Sequence, residues 1–119
     1  MYITFIDHYC EEGKYNLHFQ VYGEQTSAIT DVLLRDVKNG HNDFVLPVTV
    51  NEKGEGMLKC EFDLLNELPP AFYSIFVRYN DYMKANIRQL KNNEMTHPYG
   101  NREYKFCHTA YSNVALSIT

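Results

Sequence analysis

The chain has 119 residues, the size of one domain with one core, and its 45% hydrophobic and 22% charged fractions exclude a disordered or fibrous molecule. No run approaches the roughly 18 apolar residues of a membrane helix, so no membrane partner is expected. The formal net charge is -4, with six basic and thirteen acidic side chains in residues 1–83 against five and two in residues 84–119. Lys84, Arg88, Lys91, Arg102 and Lys105 are too sparse to displace counterions from a phosphate backbone, which argues against nucleic acid as a partner.

Ten Tyr and seven Phe with no Trp favour pleated, half-buried surfaces. Met1 to Asp7 shows no basic start followed by a long apolar run, so a soluble protein made in the cytoplasm is expected. Cys10, Cys60 and Cys107 are an odd number without a Cys-x-x-Cys pair, which predicts free thiols.

Residues 2–9 supply an opening strand. Tyr15, Leu17, Phe19 and Val21 alternate with Asn16, His18, Gln20 and Tyr22, the pattern of a strand covering a core on one side. The segment from Ser27 to Asn39 fits either a short helix, with Ile29, Val32, Leu33 and Val37 as its stripe, or a strand. Its β-branched content and its neighbours favour the strand.

Asn51 to Gly56 reads as a hairpin loop joining residues 43–50 to 57–65, where Leu58, Cys60, Phe62 and Leu64 share one face and make Cys60 a small buried hydrophobe. Leu68-Pro69-Pro70-Ala71-Phe72-Tyr73 forms a proline-stopped corner leading into a strand that places Tyr73, Ile75, Val77 and Tyr79 on one face. A short strand is expected over 82–90. Residues 91–102 lack alternation and read as the longest loop. Tyr104 and Phe106, then Val114, Leu116 and Ile118, mark two closing strands joined through 109–112.

Seven to eight short strands with turn signals between them predict an all-β fold, an antiparallel two-sheet sandwich occupying residues 1–119 as a single domain. The corner Leu68-Pro69-Pro70-Ala71-Phe72-Tyr73 resembles the one before strand F of immunoglobulin-like and fibronectin-type-III-like sandwiches. That resemblance implies a Tyr73 hydroxyl bonded to the backbone a few residues upstream, with Leu68 packed beneath the ring. In size and style the chain is also similar to the auxiliary or decoration proteins of phage particles, which implies a virion location.

No signature of a nucleophile elbow, cysteine protease or nucleotide cradle occurs, and no cofactor is implied. Cys107 and His108 are neighbours that a strand would point to opposite faces. His8, Cys10 and His108 are the only sketch of a metal site and fall short of a ligand set. Contact work is better suited to His97, Tyr99, Arg102 and Tyr104 around the long loop, and to Tyr22 and Phe76, which alternation leaves facing outward. The expectation is a non-enzymatic structural or attachment module that binds a protein partner or self-assembles. The alternative is recognition of a small ligand or glycan by the 91–104 loop.

Overall fold

A computed structural model describes residues 2–23, 28–38, 43–45, 49–54, 56–63, 68–80, 83–88, 94–109 and 111–119. They form eleven antiparallel strands in two sheets. The four-stranded sheet has the order β1-β2-β6-β5, with β1 at Tyr2–Glu11, β2 at Lys14–Tyr22, β5 at Thr49–Gly54 and β6 at Met57–Asp63. The second sheet runs β4-β3-β7-β11-β10-β9, with β3 at Ile29–Asp36, β4 at Asp43–Val45 and β7 at Phe72–Tyr79. Its remaining strands are β9 at Met95–Tyr99, β10 at Arg102–His108 and β11 at Val114–Ile118, while β8 at Met83–Asn86 pairs with β7 alone.

The core lies between the sheets. Tyr15, Leu17 and Phe19 of β2 and Leu58, Cys60 and Phe62 of β6 meet Val32 and Leu34 of β3, Tyr73, Ile75 and Val77 of β7, and Tyr104 and Phe106 of β10. Each row follows from alternation, because every second side chain of a strand points to the same face. Burying such rings and branched chains contributes on the order of 1.5–3 kcal/mol apiece.

Two expectations on strand number and placement are corrected. Residues 43–50 are not one strand: the chain leaves β4 at Val45 in the larger sheet and begins β5 at Thr49 in the smaller one. Residues 94–102 hold β9 and a tight turn rather than a long loop, and residues 91–93 of the expected loop lie outside the described residues. The seven to eight expected strands are eleven in the structure, the 43–50 segment dividing into β4 and β5 and β9 standing where a loop was expected. The 27–39 segment is strand over Ile29–Asp36, and among the described residues of the expected 82–90 strand Met83–Asn86 form one.

The β1–β2 turn has Glu12 at φ 52° and Gly13 at φ 75°, the twist a two-residue hairpin loop needs. Beyond β8, Ile87 and Arg88 belong to both layers. Arg88 N–H donates to Ile3 O at 2.8 Å and Arg88 O accepts from Phe5 N–H at 2.7 Å, on β1. Ile87 O accepts from Val114 N–H at 2.9 Å, at the start of β11. Ile87 itself is fully buried.

Candidate functional site

At the corner, the Tyr73 ring is fully buried and its hydroxyl donates to Pro69 O at 2.6 Å. Leu68 is buried in the same core, and the Arg102 guanidinium donates to Leu68 O. Two side chains from separate strands thus satisfy two consecutive carbonyls where prolines prevent sheet pairing. Phe44 of β4 meets the Tyr73 ring edge-on, with centroids 5.9 Å apart.

The residues singled out in the sequence do not converge on one surface. Tyr104 is 1% exposed and belongs to the core beside Phe106, so as a contact residue it is corrected by the parity of β10. Arg102 is engaged at the corner. Tyr99 is 39% exposed and lies on the β1–β2 turn, so close that a Cβ on Gly13 would come within 2.9 Å of the Tyr99 ring. His97 is half-buried on β9, opposite Tyr104. Phe76 is half-buried, with the Arg35 guanidinium 5.2 Å above its ring. Arg35 is held by Asp43, Nε to Oδ1 at 2.7 Å, and the Lys84 ammonium reaches the other Asp43 oxygen at 3.0 Å. The Arg35 hydrogen bond holds the Asp43 carboxyl down at about 2.

Tyr22 is the residue of that set most open to solvent. It is 47% exposed and faces Tyr2, 48% exposed, across the β1–β2 ladder with ring centroids 6.0 Å apart. Ile6 of the same strand pair is exposed as well. The described charges of this sheet are mostly acidic, Asp7, Glu11, Glu12, Glu61 and Asp63 against Lys14 and Lys59. Over the described residues from Met83 onward, Lys84, Arg88, Arg102 and Lys105 outnumber Glu94 and Glu103.

The groups first weighed for chemistry lie in apolar settings. The buried His8 ring is bordered edge-on by Phe5, Tyr15 and Phe106 at centroid distances of 5.1, 5.7 and 6.2 Å. Burial pushes the Cys10 thiol up to about 11 and the Cys60 thiol up to about 12, and it also raises that of Cys107. Such thiols are poor nucleophiles near neutral pH, where the thiolate is scarce. Among the described residues no three His, Cys, Asp or Glu side chains come together as metal ligands.

One concave feature escaped the sequence reading: a groove of about 480 Å³ on the outer face of the larger sheet. Phe72, Ser74 and Phe76, consecutive outward residues of β7, run along it, and Asn86 of β8 with the 108–113 turn forms its far side. Thr109 organises that turn. Its N–H donates to Asn113 O at 2.8 Å, its carbonyl accepts from Ser112 N–H at 3.0 Å, and its hydroxyl accepts from the N–H groups of Tyr111 and Asn113. The turn raises Tyr111 into solvent, 78% exposed. A signal for this groove was present in the Phe-x-Ser-x-Phe parity of residues 72–76, but only the fold brings the turn beside it.

This two-sheet arrangement has a counterpart in TarS of S. aureus. A crystal structure of TarS matches 98% of the chain with a TM-score of 0.65 at 13% identity, and the match covers 24% of TarS. A structure of TarS 217–571 matches the same share of the chain with a TM-score of 0.63 at 11% identity, over 38% of that fragment. The chain therefore spans about a quarter of the length of TarS, and the likeness is one of fold alone. No family model and no curated protein sequence matches the chain.

Proposed function

We propose that the chain is an immunoglobulin-like, non-enzymatic attachment module that acts through protein–protein contacts. The topology is supported by strand order: β1-β2-β6-β5 follows the A-B-E-D order of immunoglobulin sandwiches, and β4-β3-β7-β11 follows C′-C-F-G. On that reading Tyr73 stands near the start of strand F, and β8, β9 and β10 are an insertion between F and G. The TarS likeness adds that this architecture occurs within a longer chain.

The observation that carries the attachment reading is the Tyr2–Tyr22 pair. Two large rings and Ile6 stand in solvent on a sheet whose inner face already fills the core. Aromatic side chains of this kind are frequent anchors of interfaces. The described charges of this sheet are mostly acidic, though they lie along the ladder toward its Glu11–Lys14 end rather than beside the rings. They suit a basic protein surface such as the net-basic described residues from Met83 onward in a second copy.

Sedimentation velocity over a range of concentration and salt tests the proposal. Association is expected to strengthen with protein concentration, weaken with added salt and disappear in Tyr2→Ser/Tyr22→Ser, with the melting midpoint little changed. A protein that stays monomeric at every concentration and salt, or one whose association ignores the double substitution, overturns it.

A further inference from the structure

We propose that the groove between β7 and the 108–113 turn binds one or two rings of a neutral saccharide. This site lies on the larger sheet, away from the Tyr2–Tyr22 surface, and goes beyond the attachment reading.

The first reason is the chemistry of the lining. No described Lys, Arg, Asp or Glu lines the groove, and the polar groups are Ser and Thr hydroxyls, Asn amides and the His108 imidazole set among aromatic rings. Hydroxyl-bearing rings need that mixture, because their C–H faces rest on aromatic faces while their rims exchange hydrogen bonds with amides and hydroxyls. A phosphate or carboxylate ligand would find no Lys or Arg in the described lining, and Arg35, over the Phe76 ring, is tied to Asp43.

The second reason is shape and preorganisation. Phe72 and Phe76 lie four residues apart on one face of a strand, about 13 Å, with Ser74 as a low floor between them. The volume lies within the roughly 300–1,000 Å³ of small-molecule sites. Tyr111 stands at the rim on a turn held by four hydrogen bonds to Thr109, so its backbone is fixed before any ligand arrives.

The third reason is unspent hydrogen-bonding capacity. His108 Nδ1 and Asn113 Oδ1 are shielded from solvent and have no partner among the described residues, and both residues line the groove. A modest rotation of either side chain toward a ligand hydroxyl would supply the missing bond.

The test is amide NMR of the labelled protein with cellobiose, maltose and N,N′-diacetylchitobiose as probes, and an uncharged Gly/Ser/Tyr peptide as the competitor. At least one disaccharide is expected to move the amides of residues 72–76 and 109–115, and Tyr111→Ala to weaken that binding about tenfold without lowering the melting midpoint. Phe72→Ser serves as a second variant at the opposite wall and is expected to weaken binding too. The proposal is overturned if none of the three sugars moves those amides, if binding is unchanged in both variants, or if the peptide alone produces the shifts.

Discussion

Tyr73 and Tyr15 are both fully buried, one bonded into the corner and one stacked on Phe106 two strands away, yet their hydroxyls are treated differently. Tyr73 donates to Pro69 O at 2.6 Å, whereas Tyr15 lies face to face with Phe106, ring centroids 3.4 Å apart, and its hydroxyl has no partner among the described residues. Burial drives the Tyr15 phenol well above its ordinary range, with the nearby Cys10, Cys60 and Asp7 adding to the effect. One tyrosine therefore acts as a polar pin for a proline-broken segment. The other acts as a large apolar plate that carries an uncompensated oxygen.

The largest expected effect comes from emptying the ring cluster around Tyr15. Phe106→Ala removes the plate that Tyr15, Phe62 and His8 rest on and is expected to cost about 3–5 kcal/mol in chemical denaturation. A cost under about 1 kcal/mol would mean the ring cluster is not what holds that part of the core. Tyr73→Phe keeps the ring and deletes the pin, with an expected loss of about 0.5–1.5 kcal/mol. An unchanged midpoint would remove the distinction between the two tyrosines.

A smaller effect is expected from Asp43, whose β4 strand presents Phe44 to the Tyr73 ring. Its carboxyl is held from 3.8 down to about 2, so the folded state binds its proton less readily than the unfolded chain does. The resulting stability is present above about pH 4 and is lost as pH falls toward 2. Solvent access limits it to less than about 1 kcal/mol. The gap between the parent and Asp43→Asn should accordingly close over that acid range in thermal melts, and a gap that persists at the low end counts against the ion pair as its source. The smallest change is expected from Tyr15→Phe, which deletes only the unpartnered hydroxyl and should leave stability unchanged or raise it by up to about 1 kcal/mol. A fall as large as that of Tyr73→Phe would reveal a partner and erase the contrast.

The layers of the fold were legible where alternation is strict. Residues 15–21 and 58–62 show inward rows that match their burial, and the double proline with Tyr73 marks the corner. The segment 43–50 was not legible as two strands, because membership of one sheet or the other is decided by distant partners, β3 for Asp43–Val45 and β6 for Thr49–Gly54. Strand β9 was hidden by Pro98. A proline lowers the strand signal, yet it is tolerated at the edge of a sheet, where one side of the strand makes no ladder bonds.

The surface was read less well than the core, for a physical reason. Parity identifies which side chains leave a sheet, as for Tyr22, but not whether another element covers them, as Arg35 does over Phe76. Tyr104 was misplaced although it shares parity with Phe106, since tyrosine chemistry was weighed above the alternation that puts both rings inside. The groove needed Tyr111 and Asn113 to be carried beside residues 72–76 by the β10–β11 hairpin, a juxtaposition with no local signature.

The bonds of Arg88 with Ile3 and Phe5 occupy amide and carbonyl groups along the outer side of β1 that would otherwise be free to recruit a strand from another molecule. Pro98 removes a donor from the margin of the other sheet. With both borders blunted in this way, ribbon-to-ribbon growth is disfavoured there, and docking between molecules is steered toward the broad surfaces of the layers.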